Sequence, residues 1–227
     1  MPATFFIGDP HFGHKLVAGI RGFSNTDDHD NFIIRKWRKQ VKEGDKVHVM
    51  GDISGGSREA EIRALEIIAE LPGEKEWKLG NHDGASGIHK QVLPLEHRML
   101  IAKTFVKVND FGHFSFEGRQ ILMSHFPYLE SEDGPGRGKA RYRQFRLPDL
   151  GNVLVHAHTH HTHPTNGSAT GREICVSWDA WNRMVDMGDI HRLIKEMNLP
   201  APEKVPYRSK GMPVPSWVDL VEKHRDI

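Results

Sequence analysis

Short apolar runs that stop at glycine and then at a carboxylate, amide or imidazole recur along this chain. They restrict it to a layered sheet architecture. Ala3 to Ile7 ends at Gly8-Asp9-Pro10-His11-Phe12-Gly13-His14, Lys46 to Met50 at Gly51-Asp52, and Glu76 to Leu79 at Gly80-Asn81-His82-Asp83. Runs this short, bounded by Gly and Pro, read as buried strands rather than helices. Helical patterns lie between them. Ile33, Trp37 and Val41 follow one another at four-residue spacing, with Asp27 and Asp28 as N-cap candidates and Gly44 as the stop. Ser57 caps a second pattern through Ile62, Leu65 and Ile68, which Pro72-Gly73 closes. This β-loop-α-β rhythm predicts a layered α/β sheet with helices outside.

The texture then changes. Thr104–Val108, His113–Glu117 and Gln120–Met123 alternate between breakers at 109–112 and Gly118, which predicts antiparallel hairpins ending at Ser124-His125-Phe126-Pro127. A Gly- and Arg-rich excursion from Ser131 to Arg146 carries Arg137, Lys139, Arg141, Arg143 and Arg146. Next, Val153 to Val155 runs into His156, His158, His160, His161 and His163. A strand over Glu173 to Trp178 and a helix near Ile190 to Met197 follow. Ser216 with Asp219 resembles a capping box opening a terminal helix. No internal repeat is present. The expected organisation is one domain over 1–198, with two packed sheets, and a Pro-rich extension over 199–227.

At 227 residues the chain can bury one sizeable core, and 37% hydrophobic with 27% charged residues suits a globular protein. The formal net charge of +1 gives no global field for nucleic acid or membranes. One cysteine excludes an internal disulfide framework and fits a reducing compartment. No apolar run approaches the roughly 20 residues of a spanning helix, and the N-terminus lacks the basic region of a signal peptide. A cytoplasmic location is the expectation.

The sixteen histidines are the outlying count. Taken singly, Asp-x-His or Gly-Asp after a strand is an ordinary turn, and a His-rich loop is ordinary solvated surface. Together the groups gather at strand termini, where open α/β sheets place their sites. If the segment stays extended, His156, His158 and His160 point the same way. Carboxylate and amide oxygens mixed with imidazoles suit Mn, Fe, Zn, Co or Ni, and the lack of thiolates argues against a structural zinc site. Asp9, His11, Asp52, Asn81, His82, His125 and the 156–160 histidines offer about seven ligands, more than one ion needs, so two divalent ions sharing a carboxylate is the economical arrangement.

Asp9-x-His11, Gly51-Asp52, Gly80-Asn81-His82-Asp83, His125 and Ala157-His158-Thr159-His160 resemble, in order, the five signature blocks of calcineurin-like metallophosphoesterases. The likeness spans residues 5 to about 195 and is nearest to small bacterial and phage hydrolases, which share the Asp30–Trp37 and Trp178–Asn182 patterns. The resemblance implies a four-layer α/β (α+β) fold, two packed mixed sheets flanked by helices. It implies one metal, manganese above the others, on Asp9, His11, Asp52 and His160. A second falls on Asp52, Asn81, His125 and His158, with a bridging water or hydroxide as nucleophile. His82 is implied to contact the phosphate or protonate the leaving oxygen, and His14 to lie near the phosphate.

Two departures stand out. Ala157 replaces a usual glycine, so its methyl is expected to narrow the site. Ile53-Ser54-Gly55-Gly56 lacks the Asp and Arg of phosphoprotein phosphatases, which argues against that activity. The expected function is hydrolysis of small or nucleotide-like phosphodiesters. The alternatives are a phosphomonoesterase, a nuclease whose Arg137 and Arg141 follow a nucleic-acid backbone, or a non-catalytic scaffold. Oligomeric state leaves no trace in the sequence.

Overall fold

A computed structural model describes residues 2–90, 92–136 and 140–200. Arg137, Lys139 and the anticipated helix at Ser216 lie outside the described residues, as does the extension beyond Pro200. The chain opens with β1 (Thr4–Ile7), α1 (Lys15–Ile20), α2 (Thr26–Gln40), β2 (Lys46–Val49), α3 (Arg58–Ala69) and β3 (Glu74–Lys78). It continues with α4 (Leu95–Thr104), β4 (Lys107–Asn109), β5 (Phe111–Phe116), β6 (Arg119–Ser124) and β7 (Val153–His156). It closes with β8 (Glu173–Cys175), α5 (Trp178–Trp181), β9 (Val185–Asp186) and α6 (Met187–Glu196).

Two mixed sheets result, flanked by helices as expected. The first has the order β4-β3-β2-β1-β9, the second β5-β6-β7-β8. β1 to β4 pair in parallel and β9 runs against β1. In the second sheet only the β5–β6 pair is antiparallel. Strand alternation sorts β1 between two cores. Phe5 and Ile7 pack with Ile33 and Trp37 of α2, Leu65 and Ile68 of α3 and Ile101 of α4. Phe6 faces the other way, into a cluster with Ile121, Met123, Val153, Val155 and Ile174 of the second sheet and Ile190 of α6. Both faces of the strand are buried, so it lacks the polar alternation of a half-exposed one.

Several boundaries differ from the sequence reading. The run 104–108 is no hairpin arm, because Thr104 ends α4 and β4 pairs in parallel with β3 in the other sheet. Apolar residues surround α4 on all sides, with Ile101 buried while Leu95 and Met99 are exposed, so no helical stripe marks it. The N-cap of α2 is Asn25, whose side chain accepts from Asp28 N, and Asp27 and Asp28 sit in the first turn facing the helix dipole. Ser57 caps α3 through Ala60 N as expected. The strand foreseen to Trp178 stops at Cys175, and Trp178 begins α5.

Ala157 does not narrow the site. Its methyl is fully buried in the inter-sheet core, and a Cβ built on Gly8 would meet it at 2.5 Å. The bare Cα of Gly8 therefore makes room for that methyl. Gly8→Ala should destabilise the protein by about 1–3 kcal/mol through overpacking, read as a lower urea midpoint, and Ala157→Gly in the same chain should recover most of it. An unchanged midpoint in the single variant would contradict this packing.

Candidate metal centre

The loops after β1, β2, β3, β6 and β7 meet at one edge of the two sheets. There Asp9, His11 and His160 form one group, and Asp52, His125 and His158 another. Within each group the ligand atoms lie within 4.8 Å of one another, as a metal site requires. Asp52 faces both, its Oδ2 lying 3.9 Å from His11 Nε2 and 3.6 Å from His125 Nε2. Asn81 is buried with the second group, its Oδ1 3.4 Å from His125 Nε2.

The far nitrogens of the four rings fix which atoms face inward. His11 Nδ1 donates to Ser54 O at 2.9 Å and His125 Nδ1 to Met50 O at 2.8 Å. His160 Nδ1 donates to Asp179 Oδ2 at 2.8 Å, and His158 Nε2 to Asp133 Oδ1 at 3.0 Å. Carbonyls and carboxylates only accept, so those four nitrogens carry protons, and each ring in its neutral form turns a lone pair to the centre. His11 Nε2 and His160 Nε2 thus oppose lone pairs at 3.2 Å. Only a cation or a shared proton relieves that contact. Burial, then the facing His160 ring and the Arg21 guanidinium, hold His11 well below the ordinary imidazole range, which disfavours the proton. The donor set fits metal ions.

The other group is equally sheltered. Burial pushes the His158 pKa down to about 3, against the opposing pull of Asp133. Burial also opposes charging of His125, but Asp52 and Asp9 outweigh it and raise that pKa.

The backbone here is strained. Asp9, His11, Asp52, His158 and His160 all have positive φ, between 49° and 67°. Left-handed backbone at non-glycine residues persists only where surroundings over-determine it. Asp83, fully buried, accepts from Asp52 N, Ile53 N and Gly80 N, clamping the β2 and β3 loops together. Burial and then the nearby Asp52 push the Asp83 pKa up to about 8.

Remaining expectations sort by position. His82 is half-buried on the rim, its backbone N donating to Asp52 Oδ1 and its ring centroid 5.6 Å from that of His11. His14 caps α1, its Nδ1 accepting from Val17 N, and lines the same cavity as His11 and His82. The extended alternation of His156, His158 and His160 does not occur: β7 ends at His156, and His158 and His160 follow in a left-handed loop. His156 is buried, its Nδ1 donating to Ala157 O, while His161 is buried and His163 exposed. Arg141 Nε donates to Asp133 at 2.7 Å, and buried Arg146 also pairs with Asp133, so these two guanidiniums tie the excursion to His158.

Four residues escaped the sequence reading as site components: Arg21, Asp83, Asp133 and Asp179. Arg21 donates to Asp179, Pro10 O and Asp9 O, holding the β1 loop against the α5 carboxylate. Asp83 and Asp179 stood within recognisable motifs; Asp133 had no such signal. A carboxylate behind a ligating histidine fixes its orientation, and losing it typically costs 10–100-fold in metal affinity. Asp133→Asn should therefore weaken manganese binding by roughly 10–100-fold in calorimetric titration. Melting without metal separately reports any loss of Arg146 anchoring. Unchanged affinity would make Asp133 an anchor for arginines alone.

No family model matches the sequence. The gene 66 protein of Mycobacterium phage L5 is 35% identical over 208 residues, covering 87% of this chain and 97% of that protein. The gene 66 protein of Mycobacterium phage D29 is 31% identical over 205 residues, covering 87% and 98%. Among solved structures, the protein of unknown function AQ665 from Aquifex aeolicus superposes with a TM-score of 0.61 at 20% identity. It covers 85% of this chain and 100% of that one, a likeness of fold. Identity at this level along nearly the whole of both phage proteins places the chain in the family of the mycobacteriophage gene 66 proteins.

Proposed function

We propose that the protein is a metal-dependent phosphoester hydrolase of calcineurin-like type, acting on small or nucleotide-like phosphodiesters. The observation that carries this reading is the convergence of two ligand groups on Asp52, with every ring nitrogen facing outward already committed to an acceptor. Asp9, His11, Asp52 and His160 would hold one divalent ion, and Asp52, Asn81, His125 and His158 the other. Bound there, such ions lower the pKa of water toward neutrality and neutralise charge developing on phosphoryl oxygens. Asp133 and Asp179 keep the rings of His158 and His160 aimed inward. His82, outside both ligand groups but on the same rim, would donate a proton to a departing oxygen.

The test is an assay of the purified protein with manganese on paired mono- and diesters of one leaving group. The reading expects turnover that a chelator removes and manganese restores, with the diester preferred. Chelator-resistant turnover, or none with any of the five metals, would contradict it.

A further inference from the structure

The cavity over this centre has a volume of about 840 Å³, within the roughly 300–1,000 Å³ of pockets that enclose whole small molecules. Besides the polar cluster, its lining includes an apolar wall: Leu16, Val17 and Ile20 of α1, together with Phe23 and Phe32. Leu16 and Ile20 stand one helical turn apart and are 67% and 74% exposed, so core packing does not account for them. The cation within this wall offers no recognition of its own, since Arg21 is engaged by Asp179, Pro10 O and Asp9 O. We infer that this wall is a subsite for an aromatic ester group of the substrate, seated against Leu16, Val17 and Ile20 while the phosphoryl group lies at the Asp52 cluster. The ligand chemistry is thus a phosphoester that carries an aromatic ring rather than a bare phosphate. The occupant is fixed by continuity, because one cavity joins the apolar wall to His11, Asp52 and His82.

This inference rests on the phosphoester reading, and its test separates the two. Calorimetry on the manganese-loaded protein compares phenylphosphonate with methylphosphonate, which share the phosphoryl group and differ in the organic one. Phenylphosphonate should bind roughly tenfold tighter or more, the scale of burying a ring's apolar area. Leu16→Ser with Ile20→Ser should erase that preference and leave methylphosphonate unaffected; both side chains are exposed, so folding is not at stake. Equal binding of the two phosphonates, or a preference that survives the double substitution, would overturn the subsite alone. Failure of both phosphonates to bind would overturn the phosphoester reading and the subsite with it.

Discussion

Asp52→Ala is expected to lose bound metal and turnover together, with activity falling by more than roughly 10²-fold. The reason is electrostatic. At an effective dielectric of about 20, two unit charges about 4 Å apart interact by roughly 4 kcal/mol, so two divalent ions repel by roughly four times that. A carboxylate reaching both offsets this repulsion as neutral imidazoles cannot. Asp52 Oδ2 approaches ring nitrogens of histidines in both groups, at 3.9 Å from His11 and 3.6 Å from His125. Elemental analysis of the variant decides the matter. Two ions still bound per chain would remove Asp52 from the bridging position.

His82→Ala should give a different pattern: both metals retained, with a loss that depends on the leaving group. His82 leaves the same loop as Asn81 but belongs to neither ligand group. A positioned general acid contributes roughly 10²–10⁴-fold when an alkoxide departs, and little when a stable phenolate does. Activity on alkyl or nucleoside diesters should therefore collapse, while the p-nitrophenyl diester should be far less affected. Equal losses on both would assign His82 to phosphate binding. Loss of metal would make it a ligand.

The strand ends were legible because each is a short run that stops in a breaker or in histidine, at Gly8, Gly51 and Gly80 for the first three and at His125 and His156 for the other two, a local signal independent of tertiary context. Asp9, Asp52, Asn81, His125, His158 and His160 could be placed near one another on that ground. Their backbone conformation could not be read. An extended 156–160 segment was the natural expectation, yet His158 and His160 adopt left-handed φ because the site over-determines them. Asp133 was invisible for another reason. Its partners His158, Arg141 and Arg146 come from separate turns, and a local reading saw only the arginines. α4 lacked a stripe, and β4 pairs with a strand some thirty residues earlier in the chain, a register no local pattern encodes.

The central claim is that one Asp52 carboxylate joins two metal positions. Anomalous diffraction from crystals grown with manganese tests it most directly. Two peaks roughly 3.5–4 Å apart are expected, one among Asp9, His11 and His160, the other among Asn81, His125 and His158, with Asp52 touching both. A single peak, or two peaks of which Asp52 reaches only one, would contradict the account.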